Sequence, residues 1–189
     1  MNTPAHLLIG VAALGRPDAK GTTLAAFAGA LLPDLSLYLM VGWSIWGAGI
    51  PAETVFRELY YSDAWQAVFA VDNSFVLWGA ALALALWWRR PAAIAFAGAG
   101  LLHLALDFPL HTHDARMHFW PVSDWVFESP LSYWDSRAHA GMVAPVAWAM
   151  AAGAATVVIL RDARWIVRGG AALLLLAETT SGGIWRFVF

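Results

Sequence analysis

The chain has 189 residues, of which 60% are hydrophobic and 13% charged, with a net charge of −2 and a mean hydropathy of +0.61. Soluble domains are about 45–50% apolar and about 25% charged, so this balance excludes an ordinary water-soluble domain and indicates an integral membrane protein, while the slight acidity leaves no basic surface for nucleic acid. Cysteine is absent, which excludes disulfides, thiolate nucleophiles and cysteine-based zinc sites.

In chain order, "MNTPAHLLIGVAALG" lacks the basic n-region and long apolar run of a signal peptide. Its apolar stretch 4–15 is too short to span and reads as a half-helix with His6 near mid-depth. A spanning helix needs roughly 20 apolar residues. Five stretches meet or approach this: 21–42, 74–88 (extending a turn upstream), 91–109, 138–160 and 165–187. Residues 51–72, "PAETVFRELYYSDAWQAVFAVD", mix charges with aromatics and read as a segment lying at the membrane interface. The expected fold is one all-α polytopic membrane helix bundle over 1–189, with about five spanning helices, an N-terminal half-helix and a His/Asp/Trp-rich outer loop, 111–137.

Basic residues set the orientation. Arg16, Lys20, Arg89, Arg90, Arg161, Arg164 and Arg168 fall in three short connections, whereas the long connections 43–73 and 111–137 hold only Arg57, Arg116 and Arg137. The short loops are therefore expected in the cytoplasm and the long ones on the periplasmic or exterior face. Arginine outnumbers lysine ten to one and alanine is abundant. That bias suggests a GC-rich bacterial genome, hence an expected bacterial inner membrane, and twelve tryptophans suit membrane interfaces.

The polar residues gather on the outer side. In "HLALDFPLHTHDARMHFWP", His103 and Asp107 are four apart and share a helix face, ahead of His111, His113, Asp114 and His118. His103 lies roughly 7 Å inside the helix end, a costly depth unless it is paired, hydrated or metal-bound. Asp34 follows Pro33, which removes a helical hydrogen bond, and Glu178 sits in the last helix. Three helices thus bring acids to similar depth. Architectural alternatives exist for each: a packing pair for His103 and Asp107, a helix cap for Asp34, interhelical hydrogen bonding for Glu178, and solvated loop positions for the later histidines. The run "FWPVSDW" reads as an interfacial aromatic anchor, and "AGAGLL" as close helix packing.

Histidines with carboxylates and no cysteine suit zinc, manganese or iron. His6, Asp34, His103, Asp107, His111, His113 and His118 are the candidate ligands, and Asp114 or Glu178 the candidate general base, between which spacing does not choose. No Gly-x-Ser-x-Gly elbow or P-loop is present. The cytoplasmic half lacks the polar residues that would complete a transport path.

"TPAHLLIG", "GALLPDLS" and "LLHLALDFPLH" followed by "HFWP" resemble the YdjM-like family of membrane-bound metal-dependent hydrolases, itself distantly similar to zinc-dependent phospholipase C. The resemblance covers roughly residues 1–125. It implies that His6, Asp34, His103 and Asp107 are metal ligands or their close supports. The family's RGxTHS-like motif is replaced here by "FAVDNSFVLWG". Ser74 matches, but Asp72 and Asn73 stand where a histidine is expected, so that ligand is either missing or supplied by Asp72 or a loop histidine. The expected function is an inner-membrane metal-dependent hydrolase acting on a phosphoester or lipid-linked substrate, with membrane lipids as surroundings. The alternative is a non-catalytic accessory subunit, assembly factor or scaffold with a membrane-protein partner, whose buried polar residues are structural.

Overall fold

Pro4, placed where a helix's first N–H groups need no partner, opens α1 (Thr3–Leu14). The computed structural model describes the backbone of residues 1–188 and the side chains of residues 1–180. α1 has 12 residues, about 18 Å at 1.5 Å per residue, against a hydrocarbon core of roughly 30 Å. The expected half-helix is therefore present, but it occupies the middle of the bundle. It packs against α2 (Thr22–Gly42), α6 (Pro91–Asp107), α7 (Ala140–Arg161) and α8 (Trp165–Val188). Its last carbonyls are closed by Arg161, whose guanidinium donates to Val11 O and Ala12 O, each at 2.8 Å.

Four helical stretches are long and apolar enough to cross a membrane among the described residues: Thr22–Gly47, Asp63–Trp87, Pro91–Leu110 and Ala140–Arg161. With the shorter N-terminal helix they make an all-helical membrane bundle. The fifth expected span, 165–187, is helical as α8, and its side chains beyond residue 180 lie outside the described residues.

Two boundaries differ from the sequence reading. Within the segment expected at the interface, Ala52–Thr54 (α3) and a π-helical turn Val55–Leu59 form short turns. Asp63–Asp72 (α4) instead joins Phe75–Trp87 (α5) in one 25-residue candidate span. The charges of α4, Asp63 and Asp72, stand only at its ends, so its middle carries no charge. Ser62 and Ser74 cap the two helices, accepting from Trp65 N–H and Leu77 N–H. The second difference is at Pro33. α2 runs through it unbroken, so Asp34 is a mid-helix residue and caps nothing. Neighbouring chain supports the site, with Asn73 Nδ2 donating to Pro33 O at 3.4 Å.

The α2–α6 interface is the most extensive in the bundle. A Cβ at Gly29 would lie 2.0 Å from the Phe96 carbonyl oxygen, so only glycine permits this approach. "AGAGLL" packs as expected, with Gly98 against Leu14 and Gly100 against the Trp78 ring. The outer loop is ordered over the helix ends. Phe75 N–H donates to His118 O and Ser129 N–H to His111 O, each at 2.8 Å. Phe119, Trp125 and Phe127 pack around Phe108 and Phe75.

Candidate metal centre

His6, His103 and Asp107 converge from α1 and the end of α6. All three are buried, and one potential ligand atom from each lies within 4.8 Å of the others. The imidazoles stack with centroids 3.7 Å apart and an interplanar angle of 10°. His6 Nε2–H donates to Asp107 Oδ1 at 2.8 Å, leaving Nδ1 without a partner. The Met1 nitrogen contacts the same carboxylate oxygen.

His103 decides what the cluster needs. Its Nδ1 lies 2.7 Å from Ala30 O. A carbonyl only accepts, so Nδ1 carries the hydrogen and Nε2 is the free nitrogen. That nitrogen makes no hydrogen bond, yet it faces Asp107 Oδ2 at 3.2 Å and Asp34 Oδ1 at 3.7 Å. A buried lone pair facing two carboxylates is stable only with a cation between them, either a proton or a metal ion. The backbone-held Nδ1–H is also the arrangement that orients metal-ligating histidines. The His6 Nε2–Asp107 Oδ1 and His103 Nε2–Asp107 Oδ2 separations, 2.8 Å and 3.2 Å, already lie close to the roughly 3.3 Å between donors around a tetrahedral zinc. The donor set fits a metal ion.

Around this trio the expected residues divide. Asp34 faces His103 and accepts from Thr3 Oγ1 at 2.5 Å. His111 reaches Asp107 Oδ2 at 3.3 Å through Nε2, and its Nδ1–H donates to Asp114 Oδ2 at 2.9 Å. Burial disfavours the His111 imidazolium, but the Asp107 and Asp114 carboxylates outweigh it and push the pKa up to about 9. Asp114 also accepts from Trp134 Nε1–H at 3.1 Å, so it acts as a support for His111. Its burial is outweighed by His111, and its carboxyl is held below the usual range.

The remaining expected residues stand apart. His113 is exposed. His118 is packed between Phe75 and Phe108 and its Nδ1 bonds Arg116 O. Burial drives its pKa down to about 4. Glu178 accepts from Asn2 Nδ2 at 3.0 Å and is not among the three residues that cluster. Asp72 and Asn73 do not join the trio either. Asn73 bonds the Phe69 and Pro33 carbonyls, so the loop histidine that reaches Asp107 is His111.

Two residues missed by sequence reasoning, Asn2 and Thr3, complete the surroundings. Together with the expected His6, they hold Glu178, Asp34 and Asp107 from the start of α1. In sequence, Asn2 and Thr3 look like ordinary helix caps. A cavity of about 460 Å³ opens beside the trio, lined in part by Asp34, Asp107, His111, Tyr60 and Arg116. A second, about 790 Å³, shares Asn2, Leu37, Phe56, Tyr60, Asp114 and Tyr133 with it and continues along Ala144, Pro145, Trp148 and Glu178. Both fall within the roughly 300–1,000 Å³ of small-molecule sites.

Comparison with family models, with curated proteins and with solved structures found no match.

Proposed function

We propose that the protein is a metal-dependent hydrolase of a bacterial inner membrane, acting at the outer interface on a phosphoester or lipid-linked substrate. One observation carries this reading: the buried Nε2 of His103, its ring locked by the Ala30 carbonyl, faces the Asp107 and Asp34 carboxylates and makes no hydrogen bond among the described residues. The resemblance of "TPAHLLIG", "GALLPDLS" and "LLHLALDFPLH" to the YdjM-like hydrolases points the same way.

His6, His103 and Asp107 would hold the ion, with Asp34 at its side. The nitrogen and oxygen donors, without sulfur, favour zinc, with manganese and iron as the alternatives. Such an ion, when bound, polarises a substrate oxygen and brings the pKa of a bound water to about 7. The chain's own residues do the rest. Ala30 O and Thr3 orient His103 and Asp34, and the His111–Asp114 pair fixes one face of Asp107. The aromatic outer loop limits water entry, and the adjoining apolar cavity suits an acyl chain.

A non-catalytic scaffold reading rests on Val122, Trp125 and Trp134, exposed on the outer loop where a partner could pack. Elemental analysis of detergent-purified protein separates the two. About one zinc, manganese or iron per chain is expected in the wild type, falling by tenfold or more in His103→Ala and Asp107→Ala, since losing one ligand removes a large part of a metal's binding free energy. A folded wild type that stays metal-free after reconstitution would reject the hydrolase reading, as would full metal in both variants.

A further inference from the structure

Arg116 presents a charge problem of its own. Only 8% of its surface is exposed, and it makes no ion pair among the described residues. Its Nη2–H donates to Tyr60 Oη at 2.6 Å, and its guanidinium lies 4.7 Å from the Tyr60 ring centroid and 4.0 Å from that of Phe69. Those two rings hold the guanidinium plane in place by cation–π contact. Nη1 is buried and has no hydrogen-bond partner. The Asp114 and Asp72 carboxylates act on the guanidinium only from beyond ion-pair distance, so much of the cost of burying the charge is not returned by pairing. Arg116 borders the cavity that is also lined by Asp34, Asp107 and His111.

We infer that Arg116 is the anion-recognising residue of this cavity and binds the phosphoryl group of the ligand, with Tyr60 and Phe69 holding its guanidinium for that contact. The assignment deepens the hydrolase reading and rests on it for the role of the neighbouring trio, but the anion site itself stands on Arg116 alone. A guanidinium edge offers parallel N–H donors that match two oxygens of a phosphate. The cavity is too negative on its Asp34 and Asp107 side to hold a second free carboxylate or phosphate there without a cation. The anion is therefore expected on the Arg116 side, with the scissile region toward the trio. Two sources supply such a group at this depth: a phospholipid headgroup, whose chains would follow the second cavity, and a water-soluble phosphate entering from outside.

The test is binding to detergent-purified protein of three probes: inorganic phosphate, dioctanoyl phosphatidate and dioctanoylglycerol, by calorimetry, with metal content measured on the same samples. Arg116→Gln should keep its metal and lose at least about tenfold in affinity for both phosphate probes, the worth of one charge-assisted hydrogen bond. Arg116→Lys keeps the charge without the fork, guards against misfolding of the first variant, and should fall between it and the wild type. Phosphatidate binding about tenfold or more tighter than phosphate, with dioctanoylglycerol weak, assigns the lipid source; equal binding of the two phosphates assigns the soluble one. Unchanged phosphate affinity in both variants, with metal retained, overturns the Arg116 assignment and leaves the metal reading standing. Arginine-dependent phosphate binding in a metal-free wild type does the reverse. Loss of metal in both variants would make Arg116 a structural residue and overturn the assignment as well.

Discussion

His118 and His111 are seven residues apart in one loop, yet their surroundings drive them in opposite directions. His111 meets carboxylates on both ring nitrogens, whereas His118 is enclosed by Phe75 and Phe108 with only the Arg116 carbonyl to bond. Burial holds His118 neutral down to about pH 4. An unfolded histidine titrates near about 6.5, so the folded pKa is depressed. The neutral imidazole's contribution is therefore complete above about pH 6.5 and is lost as pH falls from there toward 4. Thermal midpoints in detergent should drop across that window, and His118→Phe should flatten the drop although it forfeits a hydrogen bond at every pH. Equal slopes for variant and wild type would show that His118 is accessible to protons in the native state.

Helix α1 acts at the next scale by placing three polar residues at one terminus. Asn2, Thr3 and His6 each take one of the three acids that α8, α2 and α6 bring to this end of the bundle. Acids gathered at a helix N-terminus also face its positive dipole end. This arrangement requires α1 and α6 to approach α2 closely, which the glycines allow. Gly29→Ala puts a methyl carbon 2.0 Å from Phe96 O, and backbone cannot yield as a side chain tip can. The expected cost is about 1–3 kcal/mol or more, measured as a lowered melting midpoint, with metal content falling alongside because His103 hangs on the Ala30 carbonyl in the same stretch. Gly153→Ala in α7 is the control. A Cβ there meets nothing within 4 Å, so the midpoint should hold or rise, alanine being favoured over glycine in a helix by about 1 kcal/mol. A Gly29→Ala protein as stable as wild type would mean the two helices are not packed this closely.

For the whole molecule, the trio, both cavities and the outer loop lie at one end of the bundle, opposite the basic connections around Arg16 and Arg164. Our proposed orientation, with the basic connections in the cytoplasm, puts that end outside. The native chain has no cysteine, which makes the test clean. A membrane-impermeant maleimide should label His113→Cys in intact cells and Asp18→Cys only after lysis, both positions being exposed. The reverse pattern would invert the orientation and move the site to the cytoplasmic face.

Sequence by itself determined the membrane class, the helical bundle, the short N-terminal helix and the pairing of His103 with Asp107. These depend on composition, on segment length against bilayer thickness and on spacing along one helix, all of them local quantities. Three-dimensional packing alone decided which polar residues meet. His6 reaches Asp107 across 101 positions of chain, and nothing in its own segment encodes that distance. The joining of α4 to α5 escaped the sequence reading, because the charges and aromatics of 51–72 pointed to an interfacial segment. His111 was chosen over His113 and His118 by the path of the outer loop, which only its contacts with Phe75, Pro109 and Trp134 define. Arg116 is one of ten arginines in the sequence; burial against Tyr60 and Phe69, a property of the folded chain, sets it apart as a charge awaiting an anion.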